Sequence, residues 1–133
     1  MTFSATHISI LINQPVSVVY KFVSNPKNLS KWAAGLGGSI KNVNSEWIAE
    51  SPMGRITIEF AKKNNFGVLD HDVTLPSGEK VYNPMRVCAN DKGSEVLFTL
   101  YRRPRMSDEE FTKDARTVKR DLRKLKELLE RSD

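Results

Sequence analysis

The chain carries one cysteine, Cys88, two histidines, His7 and His71, and no apolar run of membrane-spanning length. A lone cysteine excludes an internal disulfide framework and any thiolate metal cluster, and it fits a reducing compartment. Two widely separated histidines leave a zinc site short of ligands. No stretch approaches the ~18 successive apolar residues of a spanning helix, and Ile8 to Ile12 is too short and too interrupted for the apolar part of a secretion signal. There is no G-x-S-x-G elbow, and the glycines at 35, 37 and 38 do not follow a strand, so they are no phosphate loop. They read as a turn or a flexible gate. Nor is the positive excess gathered into a basic tail. Of 21 Lys+Arg and 16 Asp+Glu, residues 1–101 hold ten and eight, and residues 102–133 hold eleven and eight. The densest basic run, Arg116 to Lys126, contains Asp121 and coincides with a helical apolar stripe, so it predicts a solvated helix face and no nucleic-acid partner.

What is present is 133 residues, 39% hydrophobic and 28% charged. That is enough chain for one core, read as a single domain over 1–133, cytoplasmic and not inserted in a membrane. Alternation places Ile8, Ile10 and Ile12 on one face of an opening strand. Asn13-Gln14-Pro15 then predicts a helix start with Pro15 at the first helical position, followed by Val16, Val19, Tyr20 and Val23 at helical spacing. Asn25-Pro26 opens a shorter helix bearing Leu29 and Trp32, with Asn25 as its cap. Period two predicts six further strands: Ser39 to Val43, Glu46 to Glu50, Arg55 to Ala61, Phe66 to Leu75, Lys80 to Ala89 and Glu95 to Arg102. Short turns between them predict an antiparallel meander. Ser107-x-x-Glu110 is a capping-box pattern, and Phe111, Ala115, Val118, Leu122, Leu125 and Leu129 then recur at helical spacing. That long stripe needs an apolar partner, and only the sheet is large enough.

This order, and the segments "ISILINQPVSVVYKFVSNPKNLSKW", "FGVLDHDVTLPSGEKVYNPMRV" and "GSEVLFTLYRRPRMSDEEF", resemble the START/Bet v 1-like (SRPBCC) superfamily. Within it they are similar to a bacterial subgroup labelled polyketide cyclase/dehydrase-like. The resemblance implies an α+β helix-grip fold, in which a curved antiparallel sheet of about seven strands (β-α-α-β6-α) wraps a long C-terminal helix. It also implies a cavity between sheet and helix, and a range of functions from lipid and hormone binding to cyclisation. It carries over no universal catalytic triad; no cofactor is expected, and no metal, since the ligands for one are lacking.

Given such a cavity, strand alternation selects its lining. The candidate ligand-binding residues are His71, Trp32, Trp47, Phe60, Leu69, Met85, Phe98, Val118 and Leu122. His71 is the chemically distinctive one, since it shares a strand face with Leu69, Val73 and Leu75, whereas Asp70 and Asp72 point the other way. The leading expectation is a binder of a small hydrophobic, lipid- or polyketide-like ligand, with a homodimer left open. The alternatives are a cyclase or dehydratase using His71 with Tyr82 or Tyr101 as acid and base, and a filled-core interaction protein. Arg86 reads equally as a group that polarises a carbonyl or holds a carboxylate and as a surface ion-pair residue. Arg102-Arg103-Pro104-Arg105 reads as a loop before the helix cap, and Cys88 as a small buried hydrophobe.

Overall fold

The computed structural model describes residues 1–33 and 40–131, so the glycines at 35, 37 and 38 lie outside the described residues. The order is β1 (Ala5–Ile12), α1 (Val16–Val23), a 3-10 turn (Pro26–Asn28) and α2 (Leu29–Trp32). Then come β2 (Ile40–Val43), β3 (Glu46–Ser51), β4 (Gly54–Phe60), β5 (His71–Thr74), β6 (Lys80–Asn83), β7 (Met85–Asn90) and β8 (Gly93–Tyr101), and finally α3 (Asp108–Glu130). All strand pairs are antiparallel, in two ladders ordered β2-β3-β4-β5-β6 and β1-β8-β7. Together they form the curved sheet of a helix-grip fold, with eight strands among the described residues.

Two expected strands are shorter than their sequence pattern. The run Lys80 to Ala89 divides at Pro84, which has no N–H to give to a ladder. The chain passes there from one ladder to the other. Of Phe66 to Leu75, only His71–Thr74 is regular strand. Ahead of it, Asn64 organises a loop: its Oδ1 accepts from the N–H groups of Phe66 (2.9 Å) and Val68 (3.0 Å). Three bonds stitch this loop and β8 to the junction, Leu69 N–H to Met85 O (2.8 Å), Val87 N–H to Gly67 O (2.9 Å) and Thr99 N–H to Pro84 O (2.9 Å). Gly67 has φ +71°, and a Cβ there would lie 2.2 Å from the Val87 carbonyl oxygen. Only glycine allows that approach.

The junction is closed on its outer side by Asp70. Its carboxylate accepts from Met85 N–H (2.8 Å), Tyr82 Oη–H (3.0 Å) and Arg86 Nη2–H (3.0 Å). Burial would raise its pKa, but these three bonds and the guanidinium charge together hold it below the usual value. Arg86 is thus an ion-pair residue across the junction.

The register puts Ile8, Phe98 and Met85 in one row and Ile10, Val96 and Val87 in the next, on the concave face. Helix α3 lies along β1 and touches α2. It starts with the expected capping box: Glu110 N–H donates to Ser107 Oγ (3.1 Å) and Ser107 N–H to Glu110 Oε1 (2.9 Å). Leu122 and Leu125 are its fully buried residues. Its last turn is tied to the β1–α1 corner. Glu130 Oε2 accepts from Asn13 N–H (2.6 Å) and Lys126 Nζ (2.8 Å), while Lys126 also donates to Leu11 O (2.7 Å). Pro15 stands one residue earlier than expected, at the N-cap of α1, and Asn25 caps the 3-10 turn by accepting from Lys27 N–H. Cys88, expected to be buried, is exposed, because it alternates with the inward Val87. Arg102 donates to Met106 O and pairs with Asp108, so the basic loop is the lead-in to the α3 cap.

Two substitutions test this packing. Leu122→Ala should lower stability in urea melts by ~2–5 kcal/mol, against less than about 0.5 kcal/mol for the exposed Arg123→Ala; equal losses would place the buried face of α3 elsewhere. Gly67→Ala should cost about 2–4 kcal/mol, from left-handed strain and the clash with Val87. A wild-type melt from that variant would show that the close approach is not needed.

Candidate functional site

Beneath α3, where α2 meets the concave face, a cavity of about 160 Å³ remains. Among the described residues its walls are Leu29, Trp32 and Ala33 from the α2 segment, Ile56 and Ile58 from β4, His71 and Val73 from β5, Phe98 from β8, and Val118 and Asp121 from α3. Each element presents the side that its periodicity dictates. Ile56 and Ile58 are two apart on a strand, as are His71 and Val73, and Val118 and Asp121 are one helical step of three apart. The wall is apolar except for three side chains, His71, Trp32 and Asp121.

His71 opens β5, paired with Phe60 on β4 and Asn83 on β6. Its ring packs against Phe60 (centroids 4.9 Å) and edge-on to Phe98 (6.0 Å). Nδ1 lies 3.1 Å from the Leu69 carbonyl oxygen. A carbonyl only accepts, so Nδ1 carries the proton and Nε2 is left with a lone pair. Burial pulls the imidazole pKa below its ordinary 6.5, outweighing the Leu69 hydrogen bond and the charges of Asp70 and Asp72. The ring is therefore neutral at pH 7. Trp32 closes α2 and is 6% exposed. Its Nε1–H is buried and has no hydrogen-bond partner among the described residues. An indole nitrogen can only donate, so this is an unmet donor in an apolar wall.

Of the nine candidate residues, His71, Trp32, Phe98 and Val118 line this cavity. The other five do not. Leu69, Met85 and Leu122 are fully buried core; Leu69 and Met85 are drawn into the sheet junction by their own backbone bond. Trp47 and Phe60 line a separate, open groove with Ser24, Pro26, Thr57 and Glu59, in which Ile58 is the wall shared with the cavity. Phe60 thus supports the His71 ring. The acid–base pairing of His71 with Tyr82 or Tyr101 is not assembled. His71 shares its face with its partner Asn83, so Tyr82 points to the opposite side of the sheet. There it binds Asp70 and stacks on Tyr101 (6.4 Å). His7 is exposed, with Nδ1 3.0 Å from Thr99 Oγ1, and adds nothing to the cavity. Asp121 was not among the candidates. Its signal was legible, because three residues beyond Val118 and four before Leu125 a carboxylate interrupts an otherwise apolar stripe.

A neutral buried histidine has a consequence for pH. The unfolded chain takes up a proton near the ordinary 6.5 and the folded chain only below it. Stability linked to His71 is therefore fully present above that value and is lost as pH falls through the depressed folded pKa. Urea melts from pH 7.5 to 5 should show wild type weakening faster than His71→Phe. Parallel profiles would mean that the imidazole is not buried neutral.

No protein-family model matches the chain, and no curated protein sequence matches it. Solved structures do. DynU16, from the dynemicin biosynthetic locus, superposes with a TM-score of 0.72 at 13% identity, over 95% of this chain; this chain spans 47% of that one. Ara h 8.0201 gives 0.68 at 14% identity, covering 97% of this chain and 99% of that one. The Aha1 dimer from Colwellia psychrerythraea gives 0.71 at 16% identity, with 96% of each chain covered. At such identities the likeness is one of fold, and it agrees with the antiparallel sheet and the long α3. The chain has the helix-grip fold of the START/Bet v 1-like superfamily.

Proposed function

We propose that this protein binds a small, largely apolar molecule in the cavity between the sheet and α3. The observation that carries the reading is that cavity, about 160 Å³ of space walled mainly by aliphatic and aromatic side chains. Protein interiors are otherwise close-packed, so retained space of this size is a feature in need of a use. An engineered apolar cavity of about 150 Å³ takes up benzene, which sets the size of a ligand that fits without rearrangement. Burial of its apolar surface supplies the affinity, at about 25 cal/mol per Å² before ordering costs. The presence of DynU16 in a biosynthetic locus is in keeping with a small organic ligand. The dimeric Aha1 neighbour makes a homodimer compatible with the fold.

Native mass spectrometry of the protein purified from its source should show a small-molecule mass increment. The increment should vanish in Val118→Phe, which adds bulk to the wall. A bare protein from source that also takes up no fragment in ligand-observed NMR would overturn the proposal. The same spectra read the oligomeric state.

A further inference from the structure

The chemistry of the cavity's polar groups narrows its ligand. Resting on the reading above, we propose that the ligand is a neutral single-ring molecule bearing a hydroxyl group, whose oxygen accepts from Trp32 Nε1–H and whose proton is donated to His71 Nε2. Three observations carry this. First, Trp32 Nε1–H is buried without a partner among the described residues, and a native protein seldom leaves such a donor unmet without reason. Second, His71 Nδ1 is committed to the Leu69 carbonyl, which leaves Nε2 an acceptor. Beside the Asp121 carboxyl, Trp32 and His71 thus offer one donor and one acceptor, and a hydroxyl is the smallest group that answers both. Third, no lysine or arginine lines the cavity among the described residues, and the ionisable group α3 contributes is the carboxyl of Asp121. Among the described residues no cationic side chain there offers a counter-charge to a carboxylate or phosphate, which favours a neutral ligand. The volume limits it to about one substituted ring.

The probes are p-cresol and p-xylene, which differ by a hydroxyl in place of a methyl group. Binding of p-cresol to wild type should be about tenfold tighter than that of p-xylene, the return on pairing buried polar groups otherwise left unmet. The preference should fall to near parity in Trp32→Phe and in His71→Phe. Because Trp32→Phe removes part of a buried wall, a second readout uses wild type alone. The Trp32 indole N–H resonance, identified by comparison with Trp47→Phe, should move downfield with p-cresol and not with p-xylene. Equal binding of the two probes, or no downfield movement, overturns the hydroxyl assignment and leaves the cavity reading standing. Binding of neither probe overturns both.

Discussion

Pro84 cannot donate to a β-ladder, and the chain meets it in the middle of what would otherwise be one long strand. The sheet has to change partners there, and the rest of the architecture follows from how that change is accommodated. β6 stays with the five-stranded ladder and β7 joins β8. The gap between ladders is bridged by backbone bonds from Gly67 and Leu69, and by Asp70, whose carboxylate takes up the Met85 N–H at the bend. A buried junction between two ladders would leave amide groups without partners, at a cost of a few kcal/mol. Here those groups are satisfied by a loop whose course depends on one glycine and on the side chain of Asn64.

The same junction sets the two faces of the site. Asp70 turns outward to Tyr82 and Arg86, so the next residue, His71, turns inward. Phe60 behind the imidazole and Phe98 beside it hold the ring, and the Leu69 carbonyl chooses its tautomer. Helix α3 is pinned through its C-terminal half, by Leu122 and Leu125 in the core and by the Glu130 and Lys126 contacts to the β1–α1 corner. Its preceding turn, with Val118 and Asp121, roofs the cavity instead of filling it, and Trp32 closes the side. The polar groups are few and separated by apolar wall, which suits orientation of a bound molecule better than proton transfer between two side chains. Among the described residues, no helix is long and apolar enough to cross a membrane.

The sequence by itself determined what depends on local periodicity and capping. The stripe from Phe111 to Leu129 and the Ser107–Glu110 box define α3, the alternation of Ile8, Ile10 and Ile12 defines the inner face of β1, and the opposition of His71 to Asp70 and Asp72 follows from the pleat. Pro84 marks in the sequence where one strand must break, but only tertiary structure decided that β5 begins at His71 and which apolar residues line space and which fill it. The Phe66 to Leu75 run is apolar enough for a strand, yet its first half serves as a brace across the junction, because backbone partners at Pro84 were needed there. Leu69, Met85 and Leu122 carry the same pattern as Val73, Phe98 and Val118. Alternation assigns a face and not a depth, so the crossing of α3 over the sheet sets which of them reach the cavity. Register, which only the pairing sets, puts Tyr82 and His71 on opposite sides of the sheet, since His71 pairs with Asn83. The indole N–H of Trp32, without a partner among the described residues, has no sequence signature, since a missing partner shows only once the surrounding groups are in place.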